Sequence, residues 1–416
     1  MSDNAPGAAA PVETPKYAWA VLFALYMASL AATLNMFKLP PTMTTLVESG
    51  LGFEAGDMGT LMSMFSIMGF VLAIPAGFIL KRFGIKPTVL LAAGVLALGP
   101  AIGALSTTSG LLYLTRFVEG TGMGLVMVAS PLAISIWFPL HNRALPTGLW
   151  ATCIGIGNIV PLIVAPRMAE AFDWQSVWWA GAIFSAIAFV VFAVIFRMPR
   201  NEEMPEPPAP PVTEGEAQAQ PSLWQGMLNI NYWLIGIGFG AYNLVVLAMV
   251  SFLPMFLEIQ VKYAAATASL LTALVMLASV FSAPGGGFIS DKIGKRKAVV
   301  LVVYAIMTIT FLVPFTVTGW QIPVYMLVFG LFGGPIAPIL LASVPEVSKM
   351  PQLIGIGMAC VAVCQNLGMF IGPTLFMGIV NRCGGVMEPG AWVTAGYWMI
   401  PVCIIGMLAV WRIKVR

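Results

Sequence analysis

Gly77-Phe78-Ile79-Leu80-Lys81-Arg82-Phe83-Gly84-Ile85-Lys86 returns 210 residues later as Gly287-Phe288-Ile289-Ser290-Asp291-Lys292-Ile293-Gly294-Lys295-Arg296. Each copy is a short basic link, opened by one glycine and turned by another, between two long apolar runs. The offset is about half of the 416-residue chain, and Gly120 and Gly330 share it. One unit is therefore present twice, as parallel repeats.

Moving outward from these links, 59% of the residues are hydrophobic and only 9% are charged. A water-soluble domain carries about 25% charged residues, so most of this surface faces lipid. At roughly 20 apolar residues per membrane-crossing helix, the apolar content allows about twelve spans. Runs bounded by Gly, Pro and charge fall near 17–46, 57–80, 88–106, 110–138, 144–166 and 174–197, then 227–257, 264–289, 298–318, 320–344, 352–381 and 389–411. The expected fold is all-α and integral to the membrane, with twelve transmembrane helices in two pseudo-symmetric six-helix bundles.

The expected organisation is a cytoplasmic tail (1–16), an N-terminal bundle (17–197), a cytoplasmic linker (198–226), a C-terminal bundle (227–411) and a short tail (412–416). The linker is rich in Pro, Glu, Ala and Gln and cannot build a packed core. The first apolar run is too long for a signal-peptide core and reads as an uncleaved helix. With the N-terminus inside, fifteen Lys and Arg lie on the cytoplasmic side and three on the other, with Lys38 and Arg116 inside spans. That asymmetry sets both termini in the cytoplasm of a prokaryotic-type cell membrane.

A net charge of +3 argues for no nucleic-acid partner, and four of the five cysteines sit in apolar runs, so no disulfide framework is implied. No metal-ligand cluster or Walker loop is present. The sole histidine, His141, lies in a loop, which leaves an enzyme without a plausible centre. No cofactor is expected.

The paired links resemble the signature loop of the major facilitator superfamily, G-x-x-x-D-R-x-G-R-K, which recurs in weaker form in the second half. Arg116-x-x-x-Gly120-x-Gly122-x-Gly124 is similar to that family's helix-4 motif, and Trp137-Phe138-Pro139 with Arg143-Ala144 to its helix-4/5 loop. The resemblance covers nearly the whole chain and implies alternating access by a secondary transporter that works as a monomer. It also implies gating roles for Gly77, Lys81, Arg82, Gly84, Gly287, Asp291, Gly294 and Arg296. One departure is plain: the family's acidic position is Lys81 in the first link, whereas the second keeps Asp291. Gly77 and Gly84 are expected to allow close helix approach and a tight turn.

Ionisable residues inside a span cost roughly 2.5 to 3.5 kcal/mol each on insertion scales and mark functional sites. By these limits there are three, Lys38, Arg116 and Glu119, and the six C-terminal spans hold none. Arg116 and Glu119, three apart, can pair across one helical turn. Lys38 shows no counter-charge in the sequence. It shares a helix face with Asn35 and precedes Pro40-Pro41, a pair that ends regular helix and frees carbonyls. Two readings of Lys38 stand: an ammonium snorkelling to the outer headgroups, or a cavity cation pairing with an anionic substrate. The resemblance supports the second, because cyanate-type and organic-anion branches carry a cation near this place in helix 1.

Asn158 in span 5, Tyr242 and Asn243 in span 7, and Gln365 and Asn366 in span 11 are expected to give hydrogen bonds to a single carboxylate or similar group, unless they bond helix to helix. Glu119, the only carboxylate well inside a span, is the expected proton site with Arg116, the competing reading being a permanent structural pair. The sequence thus reads as a proton-coupled symporter of a small monoanionic metabolite. An exchanger or efflux carrier for a neutral or amphipathic molecule is the alternative.

Overall fold

The computed structural model describes residues 15–73, 75–139, 142–200, 227–313, 315–348 and 353–413, so most of the two tails, most of the linker and His141 lie outside the described residues. Its elements are helices. The first half contains α1 (Lys16–Phe37), α2 (Met43–Glu48), α3 (Asp57–Leu72), α4 (Pro75–Phe83), α5 (Ile85–Ala104), α6 (Ser109–Trp137), α7 (Ala144–Phe172) and α8 (Trp174–Ile195). The second contains α9 (Ile230–Ile259), α10 (Ala265–Ile293), α11 (Arg296–Thr310), α12 (Gln321–Gly333), α13 (Ile336–Val347), α14 (Ile354–Arg382), α15 (Pro389–Tyr397) and α16 (Met399–Arg412).

Among the described residues, ten helical segments are long and apolar enough to cross a bilayer, and α3 with α4 makes an eleventh, bent at the break before Pro75. The twelfth is α11, with 15 residues and hence about 22 Å of rise. It is shorter than the expected 298–318 because the chain turns after Thr310 and Phe315 adopts a left-handed φ of 52°. Proline explains the other breaks: Pro335 has no N–H to continue α12 into α13, and Pro401 sits in the first turn of α16, where no donor is needed. Other spans exceed the apolar runs. In α7 the helix passes through Pro161 and Pro166 to Phe172, and α9 runs to Ile259. The second extension brings Glu258 into a helix, correcting the expectation that the C-terminal spans hold no ionisable residue.

The links themselves are partly as expected. Gly84 (φ 81°) and Gly294 (φ 67°) make the tight turns out of α4 and α10, a backbone region that glycine enters without strain. Gly77 and Gly287, however, have no atom within 4 Å of where a Cβ would stand, so neither serves a close helix approach. Arg296 donates to the Ala342 carbonyl and pairs with Glu346 at 2.7 Å, tying the start of α11 to α13. Lys81 and Arg82 fall in the exposed last turn of α4, and the side chain of Asp291 lies outside the described set.

The close approaches occur elsewhere. A Cβ on Gly120 would stand 2.1 Å from the Phe65 carbonyl and one on Gly330 2.1 Å from that of Val275, so the shared glycines seat α6 on α3 and α12 on α10. Between the halves, a Cβ on Gly59 would lie 2.6 Å from the Pro373 carbonyl, Ser63 donates to the Phe370 carbonyl at 2.6 Å, and Thr374 donates to Ser63 at 2.8 Å. This α3–α14 seam belongs to one continuous core that joins the C-terminal half to Met36, Phe37, Leu39 and Met43. A second core, built from N-terminal-half residues including Ala18, Leu22, Leu125 and Trp137, lies nearer the N-terminus. The halves are thus packed together at the face that the C-terminal end of α1 reaches. A Gly59→Val variant should part α3 from α14 and raise labelling of a Ser63→Cys probe by an impermeant maleimide several-fold. Unchanged labelling would show that the seam does not close this face.

Candidate functional site

The three charges come together. Arg116 donates to Glu119 Oε2 at 2.8 Å along α6, and the Lys38 ammonium lies 3.1 Å from both Glu119 oxygens. All three are buried, with Lys38 2% exposed and the other two 0%. Snorkelling is therefore excluded, and the expectation that Lys38 lacks a protein counter-charge is corrected. Its partner is on a helix 81 residues away, and nothing in a single sequence states which faces of α1 and α6 meet.

Local sequence explains the geometry. Pro40 has no N–H, so the Met36 carbonyl loses its helical donor, and Arg116 Nη2 takes that place at 3.2 Å while Nη1 reaches the Asn35 carbonyl at 2.7 Å. The chain then turns through a 3-10 segment, Pro40–Thr42, where Thr42 donates back to the Lys38 carbonyl at 3.0 Å. The expected bend after Lys38 is thus present, and its freed carbonyl holds the arginine. Asn35 Oδ1 accepts from Lys38 at 2.9 Å, and its amide donates to Ala31 O and to Ser185 Oγ, both at 2.9 Å. Ser185 in turn donates to Gly181 O at 2.8 Å.

Aromatic faces close the cluster. Lys38 Nζ lies 4.8 Å above the Trp178 ring and the Arg116 guanidinium 4.5 Å above Phe65, contacts that favour cations in a desolvated site. Glycines make room: a Cβ on Gly99 would fall 2.8 Å from Glu119 Cγ, one on Gly103 2.7 Å from Trp178, and one on Gly181 2.4 Å from Asn35 Oδ1. The cluster counts two cations against one carboxylate, and two of its donors, Arg116 Nε and Trp178 Nε1, are buried without an acceptor. One positive charge is in excess.

The remaining predicted residues do not join it. Asn158, Asn243 and Asn366 each turn the amide to their own helix, to Ile154 O (3.2 Å), Phe239 O (2.8 Å) and Ala362 O (2.8 Å). Such a bond leaves the carbonyl oxygen of each amide to face other groups. Tyr242 stacks on Phe239 at 6.2 Å, and Gln365 is half-buried on α14. Asn366 Oδ1 would lie 2.5 Å from a Cβ on Gly69, so it packs across the halves. Trp178, Ser185 and Glu258 were not expected. Trp178 and Ser185 are ordinary members of an apolar run, whereas Glu258, which accepts from Thr44 of the other half, could have been flagged as a carboxylate at a span end.

Two packed helical halves, the first enclosing a buried charge cluster, are the architecture of a multi-pass membrane protein. Comparison with known proteins names the family: the Major Facilitator Superfamily model matches residues 25–373 and 251–416, and the chain belongs to it. It is 24% identical over 180 residues to an uncharacterised MFS-type transporter, Rv1250, of Mycobacterium tuberculosis (42% of this chain, 30% of that one). It is 23% identical over 278 residues to the hexuronate transporter of Bacillus subtilis (67% and 65%), so it spans less than two thirds of the length of either. Over 387 residues it is 26% identical to the class B tetracycline resistance protein of Escherichia coli (92% and 93%). A solved bacterial homologue of the human lysosomal transporter Spinster superposes with a TM-score of 0.78 at 13% identity, covering 96% of this chain and 98% of the other.

Proposed function

We propose that the protein is a proton-coupled carrier of a small monoanion, with Lys38, Glu119 and Arg116 as the place where proton and anion meet. The observation that supports this reading most is the uncompensated positive charge: two buried cations share a single carboxylate. An unpaired charge taken out of water is costly unless a counter-ion reaches it, and a carboxylate or similar monoanion is that counter-ion. A dianion would need a second excess cation. The hexuronate transporter among its relatives makes a sugar-acid monocarboxylate such as glucuronate the first substrate to test. On this reading Asn35 orients Lys38, while Tyr242, Asn243, Asn158, Gln365 and Asn366 contact the substrate's uncharged part as the halves move, and the glycine-turned links between helices set the gates. The protein then works as a monomer in the cell membrane, with both termini in the cytoplasm.

The test is uptake into proteoliposomes carrying a trapped pH dye, challenged with glucuronate, other monocarboxylates, dicarboxylates, inorganic anions and neutral sugars. A monoanion should acidify the interior and dicarboxylates should not. The likeness to the tetracycline resistance protein, which extends over nearly the whole chain, supports a second reading, efflux of a neutral or amphipathic molecule. A response to neutral solutes alone would establish it in place of the first.

A further inference from the structure

Glu258 takes no part in the charge cluster, although a carboxyl group at the end of a span is costly to place there. Among the described residues it has no ion-pair partner. Its Oε2 accepts instead from Thr44 Oγ1 at 2.5 Å, a side-chain bond from one half of the molecule to the other. A single hydroxyl is a weak hold for a carboxyl group, and a weak hold between two parts that must separate is what a catch requires. We propose that the segment 40–48 is a strap that keeps the halves closed at the face reached by the C-terminal end of α1, and that Thr44 and Glu258 are its catch.

The strap is built for this from its sequence. Pro40 and Pro41 each fix a φ angle, and Thr42 donates back to the Lys38 and Leu39 carbonyls, both at 3.0 Å, so the turn moves as a stiff extension of α1. The helix that follows, α2, has only six residues and does not hold its shape alone in water. It is held from the other half: Met43 and Leu46 are fully buried in the core that contains Phe252, Met255 and Phe256 of α9. Beyond α2 the chain turns away through Gly50 (φ 75°) and Gly52 (φ 82°). Thr44 is therefore carried on a lever whose root is the end of α1, where Arg116 holds the Asn35 and Met36 carbonyls, and whose tip rests on α9. Parting the halves at this face pulls α2 from α9 and breaks the Thr44–Glu258 bond, so the strength of that bond sets how much of the protein is closed here. This holds whatever solute is carried, and goes beyond the anion reading above.

The test is a distance measurement across the closed face in full-length protein reconstituted into liposomes. Spin labels go on Glu54→Cys and Met387→Cys, exposed positions on the two halves, with the exposed Cys383 replaced by Ser. Thr44→Val removes the donor and Glu258→Met the acceptor. Each should raise the ratio of the long-distance to the short-distance population about tenfold, the shift that one hydrogen bond produces. Thr44→Ser and Glu258→Gln keep a donor and an acceptor and should stay within about threefold of the parent. The double variant Thr44→Val with Glu258→Met should open no further than either single one, because the bond can be lost only once. Unchanged distances in both Thr44→Val and Glu258→Met would overturn the proposal, and so would additive effects in the double variant. If Glu258→Met fails to fold, Thr44→Val against Thr44→Ser decides, since the two differ in the hydroxyl: equal distances in that pair refute the catch. No substrate is needed, so failure of the wild-type chain to move any monoanion would refute the anion reading and leave this result standing.

Discussion

Lys38→Ala is expected to reduce monoanion uptake by roughly 30-fold to several thousand-fold, with the protein melting at or above the wild-type temperature. The two halves of this expectation come from one count of charges. The substrate's carboxylate would lose the ammonium that meets it, and truncating one member of a desolvated charge pair costs about 2 to 5 kcal/mol, which converts to that range of affinity. The fold, by contrast, loses an excess charge. Glu119 keeps its 2.8 Å bond to Arg116, and a one-to-one pair is less costly to bury than two cations against one carboxylate. Initial-rate uptake of the probe and a thermal melt in detergent measure the two quantities separately. Uptake unchanged in Lys38→Ala would remove the anion role, and a large fall in melting temperature would show that Lys38 is needed to hold α1 against α6.

The same cluster shows what could be read without coordinates. Composition, the 210-residue repeat and the paired glycines specify helices in two sixes, because a bilayer permits few other solutions for so apolar a chain. Arg116 with Glu119 was readable as well, since a spacing of three places both on one helix face. Lys38 was identifiable as a charge out of place but not by its partner, because the rotation of α1 against α6 is set by packing over glycines and by the carbonyl that Pro40 leaves free, and those are properties of the meeting surfaces. The partners of the Asn243 and Asn366 amides were illegible for a related reason. A polar residue within a span can satisfy its N–H on the carbonyl four residues before it, and sequence does not say whether it reaches further. Gly77 was assigned to helix approach by position in a motif, whereas the glycines that let backbones touch, Gly59, Gly120 and Gly330, lie within the spans.

Glu119→Ala should be the most damaging single change in the N-terminal half. It leaves Lys38 and Arg116 buried side by side with no carboxylate, and breaking a buried pair from one side costs about 3 to 5 kcal/mol because the remaining charge is uncompensated. Here two charges remain, so the loss should reach the upper end of that range and lower the thermal midpoint by roughly 5 to 10 °C. The informative experiment is the second substitution. Adding Lys38→Met to Glu119→Ala removes one stranded cation while keeping apolar volume over Trp178, and Arg116 retains its bonds to the Asn35 and Met36 carbonyls. The double variant should therefore be more stable than Glu119→Ala alone, recovering about 2 kcal/mol as a coupling term within the range expected for directly contacting residues. Transport should be absent in the double variant, which lacks the ammonium that meets the anion. Additive losses in the double variant would mean that Lys38 and Glu119 do not share charge energetically, and the 3.1 Å contact would then carry no weight in either coupling or stability.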